Sequence, residues 1–332
     1  MPKRQSILVT GGAGYIGGQT VLSLLDRGFR VCVLDDLSTG RYLPFHDQTS
    51  FFEGRVHNQA LVEAILKDHQ VQAILHFAGS IKVDESVSNP LKYYENNTEG
   101  SRLLIESAVR CGVEKFIFSS TAAVYGKTPD RPVREEDGAI PLNPYGWSKL
   151  FTEKLLQDVG GVASLRYGIF RYFNVAGADP DMRHGQYLEK PVHLIGRSID
   201  AMLGTAPPLT VFGDDLDTPD GTGVRDYIHV ADVAEAHVVL LAYLLEGGDS
   251  QLINLGYGRG YSVLEVLRAL ENEAERDVPH AFGSPREGEA ASVIANVSRL
   301  HNTLNWEPKH DSLNEIIGSS LAWQRYRVEQ NR

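Results

Sequence analysis

The chain has 332 residues, enough for one large α/β domain or two coupled ones with an ample apolar core. A net charge of −11 with no long Lys/Arg block argues against a nucleic-acid or anionic-membrane surface, and no apolar run approaches a membrane span. Two cysteines, Cys32 and Cys111, stand apart without metal-ligand spacing, which points to structural thiols in a reducing, cytoplasmic setting and to no metal site.

The first apolar run, Ile7, Leu8 and Val9, predicts a short strand cut off by a glycine cluster, too soon for a signal sequence. Ile16, Thr20, Leu24 and Leu25 then share one helical face, and Gly28 is placed to stop the helix. Within this strand, turn and helix, Gly12 to Gly17 fits G-x-G-x-x-G, and Gly11 adds the overlapping spacing G-x-x-G-x-x-G. Backbone free of side chains lets N–H groups and a helix N-terminus approach a diphosphate, so Gly11, Gly14 and Gly17 predict dinucleotide binding. Residues 30–35 read as a second strand. It ends in Asp35, 18 residues beyond Gly17, near the spacing at which an acid accepts the adenosine ribose hydroxyls. That charge would repel a 2′-phosphate, which favours NAD over NADP.

Phe51 and Phe52 suggest a third strand, and Leu61, Ala64 and Ile65 a helix running to Asp68. Residues 73–78 read as a fourth buried strand, 90–112 as one long helix and 115–120 as a fifth strand. Alternation at these lengths predicts an α/β fold with a Rossmann-type, doubly wound parallel sheet, its ligands beyond the carboxyl ends of the strands. Ser119, Ser120 and Thr121 close the fifth strand, and Asn143, Pro144 and Tyr145 open the next helix. Tyr145 and Lys149 are four apart, on one helical face; of the 14 tyrosines, only Tyr145 has a lysine at that spacing. A phenol is a poor base at neutral pH, but a neighbouring ammonium and the positive charge of an oxidised nicotinamide stabilise phenolate. Behind a dinucleotide fingerprint this pair is the candidate for proton transfer; alone it would read as a surface pair.

Residues 165–173 supply another strand, ending at Asn174. The polar segment 178–191, with Pro180, Gly185 and Pro191, marks the predicted domain change. Residues 1–178 form the NAD-binding domain and 179–332 a smaller mixed α/β lobe. A helix at 194–203, a strand at 209–212 and a loop rich in Gly, Asp and Pro follow. The helix at 229–245 and the strand at 251–255 bring 229–256 back to the first domain, and helices near 262–276 and 312–327 finish the chain.

Seven strings carry a likeness: Thr10 to Gly17, Asp35 to Gly40, His76 to Gly79, Tyr93 to Asn97, Asn143 to Gly146, Arg171 to Asn174 and Asp220 to Val230. With Arg286 to Gly288 and Leu304 to Pro308, they cover nearly the whole chain. The chain resembles the UDP-glucose 4-epimerase family of the extended short-chain dehydrogenase/reductases, and the stretch from Asp220 to Val230 is the most specific to it. The resemblance implies a bound NAD that takes the C4 hydride of a UDP-hexose while Tyr145 removes the O4 proton. The 4-keto sugar then turns over and receives both on its opposite face. Lys149 would hold the nicotinamide ribose and depress the Tyr145 pKa, and Thr121 would hydrogen-bond the reacting oxygen.

Around the cofactor the resemblance adds Tyr15, Ile16, Asp36, Leu37, Ser38, Thr39, Gly40, Arg55, Val56, Phe77, Ala78, Gly79, Ser80, Ile81, Asn96 and Phe173. Around the UDP-sugar it adds Asn174, His193, Leu194, Thr210, Val211, Phe212, Arg225, Tyr227, Arg286, Glu289 and Val293. Guanidinium groups such as those of Arg225 and Arg286 match diphosphate oxygens. Val293 falls where a small side chain leaves room for an N-acetyl group on the sugar. The resemblance also implies a homodimer through a helical interface that includes the helix at 90–112. Four positions depart from the family: Arg55 stands for the usual Asp, Asp36 for Asn and Glu289 for Asp, while Lys82 lies one place beyond the usual lysine.

Three other readings compete. A UDP-pentose epimerase would look the same in these strings. A sugar-nucleotide dehydratase would share the sheet, NAD and the Tyr145/Lys149 pair, but it needs an acid beside the strand-end threonine, where this chain has Ala122 and Ala123. A non-catalytic NAD-sensing protein would have no need of Thr121, Tyr145 and Lys149 together.

Overall fold

The structure is a computed structural model and describes residues 5–188, 191–284 and 290–330. The first half alternates β1 (Ser6–Thr10), α1 (Tyr15–Asp26), β2 (Arg30–Asp35), β3 (Ser50–Glu53), α2 (Gln59–Asp68), β4 (Ala73–His76), α3 (Val83–Ser88), α4 (Pro90–Tyr93), α5 (Gly100–Arg110), β5 (Lys115–Thr121), α6 (Pro144–Gly160) and β6 (Arg166–Tyr172). The second half holds β7 (Asn174–Ala176), α7 (Leu194–Leu203), β8 (Leu209–Phe212), β9 (Val224–His229), α8 (Val230–Leu245) and β10 (Gln251–Leu255). It continues through β11 (Gly260–Ser262), α9 (Val263–Ala274), β12 (His280–Gly283), β13 (Ser292–Val293), α10 (Ser298–Thr303) and α11 (Leu313–Gln330).

Seven strands make one parallel sheet in the order β10-β6-β5-β4-β1-β2-β3. Its central strands are covered on both faces, so β1 and β4 are buried at every position, apolar at Ile7 to Val9 and Ala73 to Leu75 and polar only at their ends. Val21, Leu24, Val233 and Leu240, from α1 and α8, fill one face; Val62, Ile65, Leu104 and Leu156, from α2, α5 and α6, fill the other. The chain winds outward from β1 through β2 to β3, then returns with β4 on the other side of β1. The strand order reverses there, and the crevice beyond the carboxyl ends is where such sheets bind ligands.

β7, β11 and β13 gather with β9 in a small mixed sheet, and β12 pairs in parallel with β8. A third core around Ile199, Leu267 and Ile317 ties α7, α9 and α11 together. Among the described residues no helix is long and apolar enough to cross a membrane.

One expected element differs. The helix predicted over 90–112 is interrupted by a π turn at Tyr94–Glu99 between α4 and α5. The wider turn lets two consecutive asparagines reach one loop: Asn96 donates to Ser80 Oγ at 3.0 Å, and Asn97 Oδ1 accepts the Ser80 N–H at 2.7 Å. A regular helix would rotate one of them away.

Candidate active site

A cleft of about 1020 Å³ runs along the carboxyl ends of the strands. Its nucleotide end is built by the turn between β1 and α1. Gly11 has φ +71°, and a Cβ there would lie 2.5 Å from the Ala78 nitrogen. At Gly17 a Cβ would lie 2.1 Å from the Gly11 carbonyl oxygen, so the turn closes only on glycine. Helix α1 starts after Gly14 with no capping side chain and no acid in its first turn, which leaves its first N–H groups for an anion. These features fit the diphosphate of NAD.

Asp35, at the end of β2, accepts the Ala13 N–H at 3.0 Å and the Leu37 N–H at 2.9 Å. Burial pushes its carboxyl up, while those two N–H bonds pull it back. Its remaining lone pairs can take ribose hydroxyls. Asp35→Ala is therefore expected to weaken NAD binding more than NADP binding, measured by cofactor titration; equal weakening would remove the basis for choosing NAD.

The reactive end is set by the packing of α6 on β5. Asn143 caps α6 by accepting the Gly146 N–H at 2.9 Å, and Pro144 occupies the first turn. A Cβ on Gly146 would meet the Ala123 carbonyl at 2.8 Å, so glycine brings the helix start against the turn that follows Thr121. Tyr145 then shares a hydrogen bond with the Thr121 hydroxyl. Thr121 Oγ1 accepts the Ala123 N–H at 3.1 Å, which leaves its own hydrogen for the phenol. One turn on, buried Lys149 donates to the Ser119 carbonyl at 2.9 Å, with its Nζ 4.9 Å from the centre of the Phe118 ring.

Burial lowers the Lys149 ammonium to about 8, Glu153 opposing, and raises the Tyr145 phenol, Thr121 opposing. Lys149 donates to the Ser119 carbonyl, and the influence that bears on the Tyr145 phenol besides burial is the Thr121 hydrogen bond.

Nearly all the nucleotide-side residues named from the sequence line this cleft, Leu37 and Gly40 excepted. Leu37 turns at φ +56°, and a Cβ on Gly40 would lie 2.8 Å from the Ala13 carbonyl carbon, so both shape the loop behind Asp35. On the sugar side Thr121, Tyr145, Asn174, His193, Arg225 and Val293 line it. Leu194, Thr210, Val211, Phe212 and Tyr227 are absent from its described lining. Val211 and Tyr227 are buried in the small-lobe core, Leu194 packs against that core, and Thr210 and Phe212 alternate onto the other side of β8. Arg286 and Glu289 lie outside the described residues.

Sequence reasoning missed the wall formed by Gly185, Gln186, Tyr187 and Leu188. His184 anchors it on the Tyr15 carbonyl at 2.8 Å, and Tyr187 lies between Arg41 and Arg327. The segment has no periodicity; its only signal is polar composition following a strand end.

The NAD dependent epimerase/dehydratase family matches residues 7–256. UDP-glucose 4-epimerase of Azospirillum brasilense is 49% identical over 319 residues, covering 96% of this chain and 92% of that protein. The structure of UDP-glucose 4-epimerase from Brucella ovis in complex with NAD superposes with a TM-score of 0.93 at 37% identity, covering 96% of this chain and 98% of that one. A UDP-Glc/GlcNAc 4-epimerase from Campylobacter jejuni gives 0.86 at 41% identity, over 97% and 99% of the two chains. The chain belongs to the NAD-dependent epimerase/dehydratase family and, within it, to the UDP-glucose 4-epimerases.

Proposed function

We propose that this chain inverts C4 of a UDP-hexose with bound NAD, interconverting UDP-glucose and UDP-galactose. The observation that carries this reading is the meeting of Tyr145, Thr121 and Lys149 in the same cleft as the glycine turn. Tyr145 as phenolate takes the O4 proton and later returns it, while the Thr121 hydroxyl donates to that phenolate oxygen and fixes its direction. Lys149, held on the Ser119 carbonyl, would hold the nicotinamide ribose and supply positive charge beside the phenolate. Gly11, Gly14, Gly17 and the start of α1 hold the cofactor diphosphate, and Asp35 its adenosine ribose. When bound, NAD supplies a reversible hydride acceptor for C4, so inversion needs no net oxidation. Asn174, Arg225 and Arg286 match the family positions that hold UDP, and guanidinium groups suit its diphosphate oxygens. Ala122 and Ala123 offer no acid for expelling water, which disfavours a dehydratase. The test is incubation with UDP-galactose, UDP-xylose and UDP-N-acetylglucosamine without added cofactor, followed by chromatography. UDP-glucose formed from UDP-galactose is expected; no product from any of the three would end this reading.

One observation supports activity on the N-acetyl sugar as well. Val293 pairs in register with Arg225 across β13 and β9, lines the cleft, and packs on the cluster of Val124, Tyr125 and Phe173. Valine lacks the ring and hydroxyl of tyrosine, so it leaves room for an N-acetyl group; the Campylobacter jejuni relative is named for both UDP-Glc and UDP-GlcNAc. Pocket size alone is worth about 1–3 kcal/mol in discrimination, which favours dual activity over exclusive choice. Val293→Tyr should lower kcat/KM for UDP-N-acetylglucosamine preferentially; equal losses for both sugars would refute the assignment.

The proposed domain boundary is residue 178, with residues 229–256 returning to the NAD-binding domain. Membership of β10 in the large sheet and packing of α8 beside α1 support it. The proposed assembly is a homodimer through the helical face of α3 to α6, where Val83, Val87, Leu91 and Phe151 are exposed. Sedimentation equilibrium showing only monomer at micromolar concentration would reject it.

A further inference from the structure

Beneath the reactive end of the cleft, a buried polar row crosses the sheet. Ser120 of β5, Arg171 of β6 and Asn254 of β10 are in register, one position before the row formed by Thr121, Tyr172 and Leu255. Alternation turns the first row toward α6. There Glu153, 1% exposed, accepts the Ser120 hydroxyl and a forked bond from Arg171, which is 4% exposed. The Arg171–Glu153 separation is 2.6 Å, and the guanidinium stacks 4.7 Å from the centre of the Tyr125 ring.

Tyr145, Lys149 and Glu153 follow one another at four-residue steps along α6. Their partners are Thr121, the Ser119 carbonyl and the Ser120 hydroxyl, three consecutive residues of one strand end. Glu153 is thus the lowest of three stitches that set the height of Lys149 and Tyr145 over β5. It is also an anion one turn from Lys149, itself balanced by Arg171.

We propose that Glu153 is a positioning residue for the reaction: clamped to Ser120 and Arg171, it fixes α6 on the end of β5 and keeps the charge beneath Lys149 neutral. The inference rests on the epimerase reading and assigns a role to a residue that touches neither substrate nor cofactor. The other groups facing Lys149 are Tyr145 on its own helix, the Phe118 ring and Ser119 carbonyl of β5, and His76 at the end of β4. Tyr172 of β6 faces Tyr145 from beside them. His76 is buried and held neutral, at about 3, so the buried charges below Lys149 are Glu153 and Arg171, with the Glu135 carboxylate beyond Arg171 beside Asn254.

Glu153→Gln keeps an acceptor for Ser120 but takes away the carboxylate clamped to Arg171; the buried Glu135 carboxylate, bonded to the Asn254 N–H one strand over, stays in place in every variant. An added buried positive charge favours deprotonation of both Lys149 and Tyr145. The whole pH profile of kcat in the NAD-loaded enzyme should therefore move to lower pH, by about one pH unit. KM for UDP-galactose should stay within about twofold, because no substrate contact is lost. The double variant Glu153→Gln/Arg171→Met removes both charges, a change that buried pairs often tolerate, and should return the profile to its wild-type position.

A purely structural role would lower the amplitude and move neither limb. Should Glu153→Gln fail to fold, Arg171→Met carries the test with the opposite sign, a move to higher pH. A second readout needs no sugar: tyrosinate absorbance of the NAD-loaded protein, as the difference from Tyr145→Phe, should titrate lower in Glu153→Gln by the same amount. Wild-type turnover of UDP-galactose decides the epimerase reading separately. An unmoved profile in the folded single variant, or a double variant that stays displaced, would overturn the role of Glu153.

Discussion

Tyr145→Phe is expected to lower turnover by at least about 100-fold while NAD stays bound. Phenylalanine keeps the ring, and with it the edge contact to Tyr93 at 6.4 Å between centroids. It removes the phenol oxygen to which the Thr121 hydroxyl is bonded. Lys149 remains on the Ser119 carbonyl, and the glycine turn is untouched, so the cofactor keeps its contacts. Losing the Tyr145 hydrogen bond costs about 1 kcal/mol of stability, too little to unfold the chain. Turnover and NAD content measured on one preparation separate the effects. Near-normal turnover would mean that another group takes the O4 proton; loss of NAD together with turnover would mean that Tyr145 holds the cofactor rather than the proton.

Stability should fall steeply as pH drops from 6.5 toward 4. His76 is held near 3, and His184, His229 and His237 near 4, burial being the largest cause in each. Each is neutral in the folded chain and free to protonate near 6.5 once unfolded. Between those values the unfolded state binds more protons, so stability rises with pH across that window and is lost as pH falls. Asp226 works the other way. Its buried carboxyl, which accepts the Tyr257 and Gly258 N–H groups, is held up at about 6 and offsets roughly one histidine. Three uncompensated groups give a slope on the order of 4 kcal/mol per pH unit. Urea midpoints measured at several pH values test this, and a midpoint that stays level from pH 6.5 to 4.5 would refute it.

The parts legible in the sequence are those whose meaning is local. An apolar run broken by Gly11 announces β1 and its turn, because the strand period and the glycine both act within a few residues. The Tyr145 and Lys149 spacing needs only a helix to bring the two side chains together. Asp35 is legible because it ends the very next strand.

The unread parts depend on register between distant segments. Nothing near Glu153 names Arg171, which reaches it only because β6 lies in register beside β5. The small sheet around β9 uses strands as short as Ser292–Val293, below the length at which alternation can be seen. At β8 the residue types fit a strand, but the sequence does not say which face meets a ligand; Val211 went to the core. The π turn was hidden for a similar reason, since Asn96 and Asn97 have the same composition in either kind of helix.

The place of β10 bears on how the chain is made. Residues 251–255 complete the large sheet by pairing with β6, yet β7, β8 and β9, which belong to other sheets, are synthesised between them. Until Leu255 has left the ribosome, β6 presents an unpaired parallel edge, a template for any other extended chain. Closing it joins segments far apart in sequence, a slow step in which loop entropy is lost before contacts form. The large sheet therefore cannot close before residue 255 is made, and a nascent chain arrested before Ser250 carries an open, aggregation-prone sheet edge.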